Sequence, residues 1–141
     1  MALRLPVGSV TALLGPALAR RRVMAELDES TGRCASGHDS VGTVRLVARP
    51  DDTLADRLEA LAAVRRSKAM IVLVDRFTDG LAGRERSVVL RELATVAAGR
   101  AVLVYDCDPV AALAVADGAL RVDRAGKLWY EVLGGLGYLA S

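Results

Sequence analysis

The chain has 141 residues, of which 52% are hydrophobic, and a formal net charge of +2. This length suits one domain, the apolar content excludes a disordered chain, and the near-neutral charge argues against a nucleic-acid binder. Two cysteines are too few to staple such a domain and fit a reducing compartment. The start lacks the pattern of a signal peptide, and no apolar stretch approaches the roughly 18 residues of a membrane span. We therefore expect a cytoplasmic protein with a single domain, residues 1–141.

Short apolar runs alternate with amphipathic stretches along the chain. This alternation predicts an α/β domain in which helices flank a mostly parallel sheet. The predicted strands are Val10–Leu14, 44–48, 70–74 and 101–104, and a closing hairpin spans 119–130. The predicted helices are 16–27, a helix capped by 51–53 that begins at Leu54, 84–98 and 109–116, and residues 30–42 are expected to form a loop.

The first strand is followed by residues 15–22, which read GPALARRR. A proline at the first helical position, followed by good helix formers, predicts that a helix begins at Pro16. Three arginines then stand in what we expect to be the first turn: Arg20, Arg21 and Arg22. Cations there oppose the helix dipole, which favours a bound anion or a partner carboxylate. The alternative is a solvated basic edge in a chain whose basic residues are nearly all arginine.

Other candidate residues follow the later strands or lie in the expected loop. Asp75 follows the run at 70–74, where it could hold a metal or cap the next turn. Cys34 and His38 have the spacing of half a metal site, but the chain has one histidine, so we expect no metal centre. Cys107 has no histidine near it in sequence, and we expect a semi-buried structural thiol.

Three segments, 7–27, 70–93 and 99–128, resemble in order and spacing the ATP-binding cassette, the nucleotide-binding domain of ABC transporters. Residues 75–82 stand where that family has its acidic strand end and D-loop. Residues 116–118 and 123–127 stand where the family closes its sheet with a hairpin. The resemblance implies a P-loop NTPase-like fold, the RecA-like core of an ABC ATPase, that ends in a β-hairpin.

The resemblance also implies a degenerate nucleotide site at five positions: Gly15, Arg20, Arg21, Arg22 and Asp75. The three arginines replace the second glycine, the lysine and the magnesium-binding hydroxyl of the phosphate loop. Arg76 replaces the glutamate that polarises the attacking water, Ala82 replaces the D-loop aspartate, and Cys107 replaces the switch histidine. Residues 51–68 are too few for the helical subdomain and contain no signature motif. ATP hydrolysis, and with it an ATP or magnesium cofactor, is therefore not expected.

These replacements predict a pseudo-ATPase that acts as a scaffold for a protein partner. The family implies an ABC-type membrane permease or another ATPase subunit as that partner, with a homodimer as a further arrangement and no nucleic acid. Such a chain would be cytoplasmic and would reach a membrane through its partner. Two alternatives remain open: non-standard nucleotide binding through the arginines, and an unrelated small homo-oligomeric α/β binding module.

Overall fold

The computed structural model describes residues 4–33 and 42–133, and side chains over 4–28 and 42–133. Its strands are β1 (Val10–Leu14), β2 (Thr43–Leu46), β3 (Ile71–Asp75), β4 (Ala101–Tyr105), β5 (Gly118–Val122) and β6 (Leu128–Val132). Its helices are α1 (Ala17–Arg33), α2 (Leu54–Arg65), α3 (Gly83–Val96) and α4 (Pro109–Val115). No helix within the described residues is long and apolar enough to cross a membrane.

All six strands form one sheet in the order β2-β3-β4-β1-β5-β6. Neighbouring strands from β2 to β5 are parallel, and β6 pairs antiparallel with β5. The turn between β5 and β6 is held by Asp123, whose Oδ1 accepts the N–H groups of Ala125 and Lys127 at 2.9 Å each. This arrangement confirms the predicted α/β fold with a mostly parallel sheet and a closing hairpin.

Each face of the sheet has its own core. Ala12, Val74 and Val102 pack in the core beneath α2, α3 and α4, whereas Leu13 and Leu103 pack in the core beneath α1. Side chains alternate between the faces of a strand, so one apolar run supplies both cores.

The connections define a crevice at the carboxyl edge of the sheet. Strand β1 continues through α1 on one face, whereas its neighbour β4 continues through α4 on the other face. Adjacent parallel strands whose connections leave toward opposite faces mark a topological switch point, where open α/β sheets bind ligands. The candidate site therefore lies around the carboxyl ends of β1 and β4.

Some predicted boundaries were wrong. Residues 30–33 continue α1 instead of starting a loop, because an established helix adds each further residue at low cost and no proline stops it. The second strand is Thr43–Leu46 and not 44–48, since its pairing with β3 ends at Leu46. Cys34 and His38, the half-site considered for a metal, lie outside the described residues.

Candidate functional site

A two-residue link joins β1 to α1 where the resemblance implies a phosphate loop. Gly15 has a φ of +137°, and a Cβ at this position would collide with the carbonyl oxygen of Val122. Pro16 follows, and its carbonyl accepts the N–H of Arg20 at 3.0 Å, so α1 begins at Ala17. The predicted start of this helix is confirmed to within one residue. Helical hydrogen bonding thus begins where the family has an open loop.

The structure does not bring the three arginines of α1 together. They were predicted in the first turn of the helix but occupy the second turn, because residues 17–19 precede them in a helix that begins at Ala17. Each residue turns the helix by about 100°, so the side chains of Arg20 and Arg22 leave it about 160° apart. Arg22 lines a cleft beside the β5–β6 turn, and Arg21 is exposed. No single phosphate group can contact all three.

Arg20 turns toward the end of β4. Its guanidinium carbon lies 4.3 Å from the centre of the Tyr105 ring, and its Nη1 donates to the carbonyl of Asp106 at 3.4 Å. Stacking of a guanidinium on an aromatic ring is a favourable cation–π contact. Arg20 is therefore engaged by the protein itself.

Asp75 lies at the end of β3 with a side chain that is 2% exposed. Its Oδ2 accepts hydrogen bonds from Nε and Nη2 of Arg45 at 3.0 and 2.5 Å, and its Oδ1 accepts a hydrogen bond from Nε of Arg76 at 3.3 Å. The hydrogen bond to Asp75 raises the pKa of Arg45 above its usual range, so that guanidinium remains charged. Asp75 thus forms two ion pairs, and none of these hydrogen bonds caps the turn that follows β3.

Arg76 has an unusual backbone. Among the described residues it is the one non-glycine residue with a positive φ, +51°. Its N–H donates to the carbonyl of Tyr105 at 2.7 Å, and its guanidinium lies 5.9 Å from the Tyr105 ring. Left-handed backbone at a non-glycine residue costs about 1–3 kcal/mol and persists where the surroundings hold it. Here the ion pair with Asp75 and the backbone hydrogen bond to Tyr105 of β4 stabilise the left-handed conformation of Arg76.

A second charged cluster joins the loop after β3 to the loop after β4. Asp106 is 2% exposed, and its Oδ1 accepts the hydroxyl of Thr78 while its Oδ2 lies 3.7 Å from Nε of Arg86. Arg86 also donates Nε to the Thr78 hydroxyl at 3.0 Å, and the N–H of Asp108 donates to Asp106 at 3.0 Å. A buried carboxylate with this many partners stabilises the structure, and here it links the loop after β3 to the loop after β4. No site role was predicted for Thr78, Arg86 or Asp106, although the acidic segment after β4 was a signal.

Cys107 is exposed and not semi-buried as predicted, because it lies on the loop between β4 and α4. Partial desolvation of its sulfur, followed by the hydrogen bond to Asp79 and the charge of Asp106, raises the pKa of the thiol. Arg86, whose Nη2 lies 3.5 Å from the sulfur, opposes that rise without cancelling it. The thiol therefore stays protonated near neutral pH, which is the reverse of an activated nucleophile.

The comparisons with known proteins show the fold. No protein-family model matches the chain, and the curated proteins give no match either. Among solved structures 42 chains match, and one of these is described as the ATP-binding subunit of an ABC transporter. That match has a TM-score of 0.63 and 12% sequence identity, and it covers 98% of this chain and 84% of the other. The chain therefore has an ABC ATPase-like α/β fold, and at this identity the likeness extends no further than the fold.

Proposed function

We propose that the chain is a pseudo-ATPase in which an ABC ATPase-like fold acts as an interaction scaffold for a protein partner. The observation that carries the proposal is the pairing of Asp75, since both of its carboxylate oxygens accept guanidinium groups. By the resemblance to the ATP-binding cassette, Asp75 stands where that family has the aspartate associated with magnesium. The partner class that the fold favours is a membrane permease or another ATPase subunit.

The donor set around Asp75 does not fit magnesium. Magnesium needs carboxylate or hydroxyl oxygens together with water in an octahedral shell. Here Arg45 and Arg76 form ion pairs with both oxygens of the Asp75 carboxylate. Arg22, at the position where the ATP-binding cassette has its magnesium-binding hydroxyl, lies on the side of α1 that lines another cleft. Among the described residues, no group of three or more His, Cys, Asp or Glu side chains lies close enough to hold a metal ion. We therefore derive no catalytic step through a metal.

The phosphate-binding backbone is also altered. A phosphate loop works because glycines let successive N–H groups point at the phosphate oxygens. Gly15 is followed directly by Pro16, which has no N–H, and the N–H of Arg20 is already bonded to the Pro16 carbonyl. This geometry supports loss of tight nucleotide binding as well as of hydrolysis.

Thermal unfolding with ATP and magnesium tests the pseudo-ATPase proposal. A ligand present at 100 times its dissociation constant stabilises a protein by about 2.7 kcal/mol, which raises Tm by several degrees. We expect 5 mM ATP with magnesium, roughly 100 times a 50 μM dissociation constant, to leave Tm unchanged within about 1 °C. Stabilisation that disappears in Arg21→Ala would contradict the proposal and support the alternative of non-standard nucleotide binding.

The scaffold role draws support from the outer strand of the sheet. Strand β6 has one neighbour in the described sheet, and three of its side chains are exposed and apolar or aromatic: Trp129, Tyr130 and Val132. An edge strand with such side chains is a template for association with another chain. The β6 edge is therefore the surface that we expect a partner to cover.

A search for a permease or ATPase-subunit gene next to the gene for this chain, followed by co-expression of the two proteins, tests the scaffold role. We expect the two proteins to co-purify, and Val132→Glu to abolish the complex because it places a charge at the β6 edge. Val110→Glu is the matched control, since Val110 is similarly exposed but lies on α4. Absence of any such complex, together with a stable homo-oligomer in light scattering, would instead favour the homo-oligomeric binding module.

A further inference from the structure

A cleft lies between α1 and the β5–β6 turn. Its volume is about 570 Å³, which is within the range of about 300–1,000 Å³ that is typical of small-molecule sites. The strand order places β5 and β4 on opposite sides of β1, so the cleft is separate from the Tyr105 side of α1. Neither Asp75 nor its two arginines line it.

The inner walls of the cleft are apolar. Pro16 lines the cleft from the link before α1, α1 contributes Ala19 and Val23, and β5 contributes Val122, which is 3% exposed. Leu18, also on α1, lines the cleft while remaining 60% exposed. A ligand that entered would cover apolar surface, which contributes roughly 25 cal/mol for each Å² removed from water.

Two arginines from different elements line the same cleft. Arg22 extends from α1 and Arg124 from the β5–β6 turn, and both are exposed. Over residues 4–28 and 42–133, neither has a hydrogen-bonding or ion-pairing side chain as partner. Glu26 is the one acidic residue among the lining residues, so the cleft has an excess of positive charge. Guanidinium groups with free donors favour carboxylate, sulfonate or phosphate oxygens.

We propose that this cleft binds a small amphipathic anion, in which an aromatic or aliphatic body carries one carboxylate, sulfonate or phosphate group. The body packs against Ala19, Val23 and Val122, and the anionic group lies between Arg22 and Arg124. This site goes beyond the proposed scaffold function and uses none of the residues around Asp75. Arg22, which the resemblance to the ATP-binding cassette placed in a nucleotide site, would thus act on the other side of α1.

Titration with 1-anilinonaphthalene-8-sulfonate, an aromatic sulfonate whose fluorescence rises on burial, tests the proposal. We expect saturable binding of one probe per chain with a micromolar dissociation constant. Arg22→Glu and Arg124→Glu should each weaken binding by about tenfold or more, because each replaces an attractive charge with a repulsive one. The matched control is Arg91→Glu, an equally large charge change at an exposed position on α3, which should bind like the unaltered chain.

Two further measurements separate the cleft from non-specific adsorption. N-phenyl-1-naphthylamine, a neutral relative of the probe, should bind more weakly and should not respond to the arginine variants. Ala125→Trp, at the exposed turn, should fill the cleft and abolish binding while far-UV circular dichroism stays unchanged. Non-saturable fluorescence, or equal binding by Arg124→Glu, Ala125→Trp and Arg91→Glu, would overturn the proposal. That result would leave the pseudo-ATPase proposal intact, since the two rest on different residues.

Discussion

Asp75 is a buried carboxylate whose chemistry depends on two arginines. Arg45 is 30 positions away in sequence and reaches Asp75 because β2 and β3 are adjacent and parallel. Arg76 is its chain neighbour and completes the pairing through a left-handed backbone. A carboxylate held in this way is a cross-link between strands and is poorly suited to bind a cation.

Arg45→Ala should therefore destabilise the fold by about 1–3 kcal/mol, because the buried carboxylate of Asp75 loses two charge-assisted hydrogen bonds. Urea unfolding measures this loss. The control is Glu59→Ala, which removes an ion pair with Arg66 whose side chains are 72% and 66% exposed and should cost no more than about 0.5 kcal/mol. Equal unfolding midpoints for the two variants would show that the Arg45 pair is not structural.

At the scale of elements, helix α1 separates residues that are consecutive in sequence. Its rotation directs Arg20 to Tyr105 on one side and Arg22 to the cleft on the other. Two chemically distinct surfaces thus arise from three adjacent arginines. The predicted arginine cluster was wrong because residues that are consecutive in sequence point in different directions on a helix.

Helix α2 begins with a capping box that should make its stability depend on pH. The Thr53 hydroxyl accepts the N–H of Asp56 at 3.1 Å, and the Asp56 carboxylate accepts the N–H of Thr53 at 2.9 Å. The hydrogen bond from the Thr53 backbone, and then that from its side chain, lowers the pKa of Asp56 below its ordinary value of 3.8. A lowered pKa in the folded state means that the charged form contributes stability above 3.8 and loses that contribution as the pH falls through the folded-state value.

Asp56→Asn should therefore be less stable than the unaltered chain at pH 7, and the difference should shrink as the pH falls below 3.8. Urea midpoints at pH 7, 5 and 3 measure it. Asp51→Asn, an exposed acid just before the cap, should show no such trend. A difference that stays constant from pH 7 to pH 3 would rule out the carboxylate as its source.

At the scale of the whole molecule, the two cores share one sheet. Leu73 belongs to the core beneath α1 and its neighbours Val72 and Val74 belong to the other, so neither layer can open without exposing the second. Over the described residues the shared sheet couples the two cores, and a single domain over residues 1–141 stays a prediction.

We therefore expect one cooperative unfolding transition. Fluorescence of Trp129, the single tryptophan, reports on β6 at the edge, whereas far-UV circular dichroism reports on all helices. The two midpoints should coincide, and the calorimetric and van't Hoff enthalpies should agree. Separate midpoints would show that the hairpin β5–β6 unfolds independently of the remaining sheet.

Most elements could be predicted because their signals are local. The apolar runs at β1, β3 and β4 and the cap of α2 are visible within a few residues. The end of α1 was missed because serine and threonine are common in loops, yet a helix that has formed passes through them. The separation of Arg20 from Arg22 could have been predicted from the helical rotation alone.

The sequence by itself determined the alternation of strands and helices and an order of elements that resembles an ABC ATPase. Only the tertiary structure decided which residues the candidate side chains contact. The pairs Arg45–Asp75 and Thr78–Asp106 join residues 30 and 28 positions apart, and the cleft joins α1 to the β5–β6 turn. Such contacts depend on strand order and on which face each helix covers, and these follow from packing of the whole chain and not from any local pattern.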